Sequence, residues 1–150
     1  MMRATFLAAG LAMAALPGLA QEMVAKISPH TVPVTMDRLV AAVEDAGATV
    51  FARVDHAAGA EGADMQLRPT QLLIFGNPKL GTPAMQDAQT AGLDLPLRVL
   101  VYADDANVVH VTYHDPAALV AAHGLPEAAE YIEKMTGALD KLTEKAVAAQ

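Results

Sequence analysis

The sequence predicts a single α+β domain, with about five strands in a mixed or antiparallel sheet packed by helices. Three observations predict it. Short apolar segments alternate with amphipathic ones, and no repeat, linker or low-complexity block interrupts them. Two of those segments, 97–103 and 108–113, flank Asp104-Asp105-Ala106-Asn107 as a hairpin with a four-residue loop. From Pro126 onward Ala128, Tyr131, Ile132, Met135, Leu139 and Leu142 share one face of a long C-terminal helix. Glu127 and Glu130 sit early in it and Lys141 and Lys145 late, as the helix dipole favours.

The remaining elements follow in order. Met23 to Ser28 is a short first strand, and 29–33 a loop. Thr35 is expected to cap a helix in which Met36, Leu39, Val40 and Val43 form one buried stripe, with Gly47 at its end. Thr49 to Val54 alternates as a strand with one wetter face. Asp55 is placed to cap a short alanine-rich helix from His56 to about Asp64. Thr70 to Phe75 is apolar on both faces, which predicts a central strand covered on both sides. Thr82 and Pro83 read as cap and first residue of the next helix, which Gly92 closes. Asp115-Pro116 repeats that start for a short helix ending near Gly124.

The ends and the composition bound the compartment and the partners. Met1-Met2-Arg3, an apolar run from Ala4 to Leu16, then Pro17-Gly18-Leu19-Ala20 reads as a secretory signal cleaved before Gln21. The run is shorter than the roughly 20 residues of a spanning helix, so no membrane insertion is expected after cleavage. The expected mature domain is 21–150, exported and periplasmic. Loss of Arg3 moves the formal charge from −7 to −8, a balance that argues against nucleic acid as a partner. The absence of cysteine excludes disulfides, thiol catalysis and thiolate metal sites. With no Trp, three Phe and three Tyr, the core must be aliphatic.

Four segments together carry a family resemblance: "VFARVDHAAGA" (50–60), "LLIFGNPKLGTPAMQ" (72–86), "LDLPLRVLVY" (93–102) and "VTYHDP" (111–116). In this order and spacing the chain resembles the domain of unknown function 302, from about Lys26 to about Leu142. The resemblance implies a compact α+β fold, often dimeric, in bacterial and archaeal proteins. It implies no reaction and carries over no functional residue.

Candidate chemistry concentrates at "FGNPKLGTP" (75–83). Gly76 and Gly81 have phosphate-loop separation, but Lys79 is misplaced and Pro83 removes an N–H, so no nucleotide loop is expected. The segment reads mainly as a tight strand-to-helix corner, its two glycines taking backbone shapes closed to other residues. A small polar recess above it is expected, lined by Asn77, Lys79 and Thr82 with His56 and Tyr113 in reach, for a small anionic ligand. His56 next to Asp55 offers a general base, although Asp55 as a helix cap is the favoured reading, since adjacent residues rarely point at one another. His110 and His114 have metal-pair spacing only on a helix; on a strand they lie roughly 13 Å apart, too far for one ion. His30 and His123 are conceivable partners in loops, and no metal or other cofactor is expected. Asp104-Asp105 reads as a solvated hairpin tip.

Three function classes follow. The first is a non-catalytic domain binding a small ligand or partner, expected as a homodimer. The second is a cofactor-free hydrolase or isomerase with His56 as base and Asn77 or Tyr113 holding an oxyanion. The third is a metal-handling protein, weakened by the lack of any M-x-x-M cluster.

Overall fold

The structure, a computed structural model, describes residues 23–149. The signal segment and the Gln21 terminus lie outside the described residues. The strands are β1 (Met23–Ser28), β2 (Thr49–Asp55), β3 (Thr70–Gly76), β4 (Leu97–Ala103) and β5 (Val109–His114). They form one fully antiparallel sheet in the order β1-β5-β4-β3-β2. The helices are α1 (Val32–Asp45), α2 (His56–Glu61), α3 (Pro78–Asp87), α4 (Ala118–His123) and α5 (Glu130–Val147), with a 3-10 turn at Gln89–Leu93.

Strand alternation decides which side of the sheet is dry. Leu73, Phe75, Val99, Val101, Val111 and Tyr113 point one way and are buried. Met36, Leu39 and Val43 of α1 and Leu139, Leu142 and Ala146 of α5 cover them. Each aliphatic side chain removed from water there contributes about 1.5–3 kcal/mol before entropy is counted. A second apolar cluster joins α3, α4 and the first half of α5 through Ala84, Leu119, Ile132 and Met135, and Leu97 at the start of β4 touches both clusters.

The central-strand expectation is corrected by the other face. Leu72 and Ile74 of β3 are only half-buried. Their cover comes from neighbours in the sheet, Leu100 and Val54 beside Leu72, and Arg98 and Ala52 beside Ile74. Among the described residues no helix joins them to the core cluster. The apolar run of β3 thus reports a buried helix-side face and a second face that the described residues leave open.

Four helix starts also move. That of α4 shifts from Asp115-Pro116 to Ala118, because Asp115 closes a separate turn by accepting from the Ala117 and Ala118 N–H groups. Helix α1 begins at Val32, with Thr31 at the cap position and Pro33 in the first turn, where no N–H is required. Thr35 is fully buried instead, its hydroxyl 2.7 Å from that of Ser28. Helix α3 begins at Pro78, and Thr82 and Pro83 lie within it. Asn-Pro and Thr-Pro both satisfy the cap-then-proline pattern, and the earlier pair wins because the Asn77 side chain accepts from the Lys79 N–H. Helix α5 begins at Glu130, because Pro126 to Ala129 closes a separate turn through the Ala129 N–H and the Pro126 carbonyl. Asp55 caps α2 through the Ala58 N–H as expected, although that helix ends at Glu61.

Candidate functional site: an apolar cavity at the strand-to-helix corner

The corner after β3 opens onto a cavity of about 360 Å3. Gly76 and Asn77 end the strand, Leu80, Gly81, Thr82 and Met85 come from α3, and Leu95 to Leu97 lead into β4. Phe51 closes one side from a bulge in β2, and Met135 closes the floor from α5. The lining is overwhelmingly apolar, with Asn77 and Thr82 as its two side chains able to form hydrogen bonds. A concave, mostly apolar recess with few polar groups is the usual form of a small-molecule site.

Its glycines act by closeness and not by unusual dihedral angles, which corrects the sequence expectation. Positive φ occurs at Gly47 and Gly124, both helix ends, and not at Gly76 or Gly81. A Cβ at Gly76 would lie 3.3 Å from Pro96 Cβ and 3.6 Å from the Phe51 ring. A Cβ at Gly81 would meet only ordinary contacts, 3.9 Å from Leu95 and 4.0 Å from Met85. Gly76 therefore lets β3, Phe51 and Pro96 close up, whereas Gly81 leaves the cavity its space.

Of the five predicted site residues, Asn77 and Thr82 meet at the cavity and the other three lie elsewhere. Lys79 is exposed in the first turn of α3, outside the lining. His56 is at the far end of the sheet: Asp55 pairs with Gln71, and Thr49 pairs with Gly76. Five residues of strand separate those ends, roughly 17 Å. Asp55 is committed there to the Ala58 N–H and the Gln71 amide, which hold its carboxyl below the usual range, so it is no partner for His56. Tyr113 is buried on the helix side of β5, beside Thr143, Lys26 and Asp140, and burial pushes its phenol up. The combination of His56 with Asn77 or Tyr113 finds its members in three separate regions.

The other histidines have local partners. His110 Nε2 lies 2.8 Å from Asp104 Oδ2, and its ring stacks on Tyr102 with centroids 5.1 Å apart. Asp104 also accepts from the Ala106 and Val108 N–H groups, so it organises the hairpin and is not a solvated tip. His123 bridges Asp94 at 2.7 Å and the Thr90 hydroxyl at 3.1 Å. This hydroxyl–imidazole–carboxylate chain is invisible in the sequence, because a loop and β4–β5 separate its members. The adjoining recess, lined by Asp94, Arg98 and His114, measures about 40 Å3, which is room for water and not for a substrate. His30 Nε2 lies 2.9 Å from the Ala148 carbonyl. Among the described residues no three His, Asp or Glu groups are placed to hold a metal.

A one-sided antiparallel sheet with an apolar cavity at its strand-to-helix corner defines a two-layer α+β domain. The chain belongs to the family described as Domain of unknown function DUF302, which it matches over residues 24–142. It is similar to a crystal structure of an uncharacterized conserved DUF302 protein from Bacillus stearothermophilus, with a TM-score of 0.76 and 16% identity. That likeness covers 85% of this chain and 99% of the other, and shows a shared fold. The chain is also 49% identical over 98 residues to the fluoride-specific ion channel FluC 1 of Brucella suis biovar 1 (strain 1330). The same identity holds for FluC 1 of Brucella abortus biovar 1 (strain 9-941). Those residues are 65% of this chain, but only 39% and 36% of the two relatives.

Proposed function

We propose that this chain is an exported, periplasmic domain that acts as a homodimer and binds a small molecule without transforming it. The observation that carries this reading is the cavity at the β3–α3 corner, with its apolar wall and its two polar side chains, Asn77 and Thr82. Such a lining suits a ligand with an apolar body and one polar end. Lys79 follows Asn77 in the first turn of α3 but lies outside the lining, so its part in holding an anionic end is what the Lys79→Ala arm of the test below reads.

Methionine methyl resonances provide the test. Met85 and Met135 line the cavity, whereas Met65 lies at the opposite end of the sheet beside Asp55. Titration with hexanol and with hexanoate should move Met85 and Met135 and leave Met65 still. Stronger binding of hexanoate that is lost in Lys79→Ala would establish an anionic ligand class. Unmoved Met85 and Met135 with every apolar probe would sink the ligand-binding reading.

A second reading rests on the 49% identity to proteins named as fluoride-specific ion channels. Under it the domain accompanies anion transport. Millimolar fluoride, compared with chloride, would then shift the amide resonances of the first turn of α3.

A further inference from the structure

We infer that the open face of the sheet is the surface on which the second copy of this chain docks. The inference rests on the homodimer proposed above and names its interface.

The cross-strand register gives the face its composition. Ala25, Thr112, Leu100, Leu72 and Val54 form a row across all five strands. Ile27, His110, Tyr102 and Thr70 form the row on one side of it. Arg98, Ile74 and Ala52 lie on the other side. The helices cover only the opposite side, so Ile27 is 66% exposed and Met23, at the end of the same edge strand, 64%. A monomer rarely leaves a contiguous apolar patch of more than a few hundred Å2 in water.

Charge selects the occupant. The chain carries 17 acidic residues and a net charge of −7, so two copies repel over most of their surfaces. None of the strand positions on this face is acidic. Two carboxylates that touch its residues are each held by a basic partner, Asp104 by His110 and Asp94 by Arg98 and His123. Here two copies of an acidic protein can approach without opposing carboxylates, and a neutral central row fits its own two-fold image.

The area also fits. Five strands about 4.8 Å apart and six residues long at about 3.4 Å each give a flat projection of roughly 500 Å2. Side-chain relief raises this toward the about 800 Å2 per partner of a standard interface. Two such faces would stack as a sandwich with the sheets about 10 Å apart, Leu100 of the central strand lying near the axis.

Sedimentation velocity on the mature chain tests the inference. The unaltered protein should sediment as a dimer at tens of micromolar. Leu100→Arg should sediment as a monomer with an unchanged far-UV spectrum, its dissociation constant raised on the order of a hundredfold. Ile27→Lys, on an exposed edge position, should weaken the dimer in the same direction and decides the matter if Leu100→Arg fails to fold. Dimers that persist in both variants would overturn this face while leaving the homodimer standing. A monomeric unaltered chain would overturn both.

Discussion

Asn77 Oδ1 accepts a hydrogen bond from the Lys79 backbone N–H at 2.9 Å, and so fixes where β3 ends and α3 begins. The bond takes up one of the N–H groups that a helix start leaves without a partner. Asn77→Ala should therefore cost about 1 kcal/mol of stability. Thr82, a full turn inside the helix, has no cap to lose, and Thr82→Ala should stay within about 0.5 kcal/mol of the parent. Urea denaturation of the two variants checks the order; a larger loss at Thr82 would move the helix start back to Thr82-Pro83.

Gly81 separates stability from binding. Its dihedrals are ordinary and its Cβ direction is open, so Gly81→Ala should stabilise the helix by about 0.5–1 kcal/mol. Gly81→Leu should fold and fill the cavity, abolishing the methionine shifts caused by hexanol. Retained shifts in that variant would place the probe elsewhere.

Leu73 and Leu72 are neighbours in sequence on opposite faces of β3. Leu73 is completely buried beneath α1 and α5, and Leu73→Ala should cost about 2–5 kcal/mol. In a monomeric background such as Leu100→Arg, Leu72→Ala should cost clearly less. Equal losses measured by thermal or chemical denaturation would mean that the second face is also covered.

Asp104 gives the acid limb a definite sign. The hydrogen bond from His110, with those from the Val108 and Ala106 N–H groups, holds its carboxyl below the ordinary value of 3.8. A depressed carboxyl contributes stability that is present above about pH 3.8 and fades as the pH falls through its lower folded value. Asp104→Asn should flatten the fall of Tm in that acid range. An unchanged slope would show that the pair contributes nothing to acid tolerance.

Tyr131 behaves in the opposite sense at high pH. Burial, then the Asp87 carboxylate 2.8 Å from its hydroxyl, push the phenol up to about 12. Its contribution to stability is intact below the ordinary value of 10.0 and is lost as the pH rises toward 12. Ultraviolet titration of Asp87→Asn should show this tyrosine ionising earlier than in the parent.

The sequence made the sheet legible because its signals are local. Alternation in 49–54 and 97–103, the Asp104–Asn107 loop and the stripe through Ile132, Met135 and Leu139 each depend on a few adjacent residues. The cavity depends on distant ones. Phe51 and Met135 lie 84 positions apart and meet only through the bulge in β2 and the docking of α5. The placement of His56 failed for a related reason. Sequence shows that it follows a strand, but the antiparallel pairing of β2 with β3 sends it to the end opposite Asn77. Leu72 misled differently: a side chain half-buried by its own sheet reads like one buried beneath a helix.

Strand β1 is the first element of the described chain, yet its partner is β5, whose register joins Met23 to His114 and Ser28 to Val109. Lys26 also reaches Asp140 of α5, and His30 and Arg38 reach the carbonyls at its end. Strand β1 thus stays unpaired on a ribosome until β5, about 80 residues further along, has been made. Closing so long a loop is entropically costly and makes folding slow relative to helical domains of this size. Under the export proposed above, that delay would leave the chain time to thread a translocon before it folds.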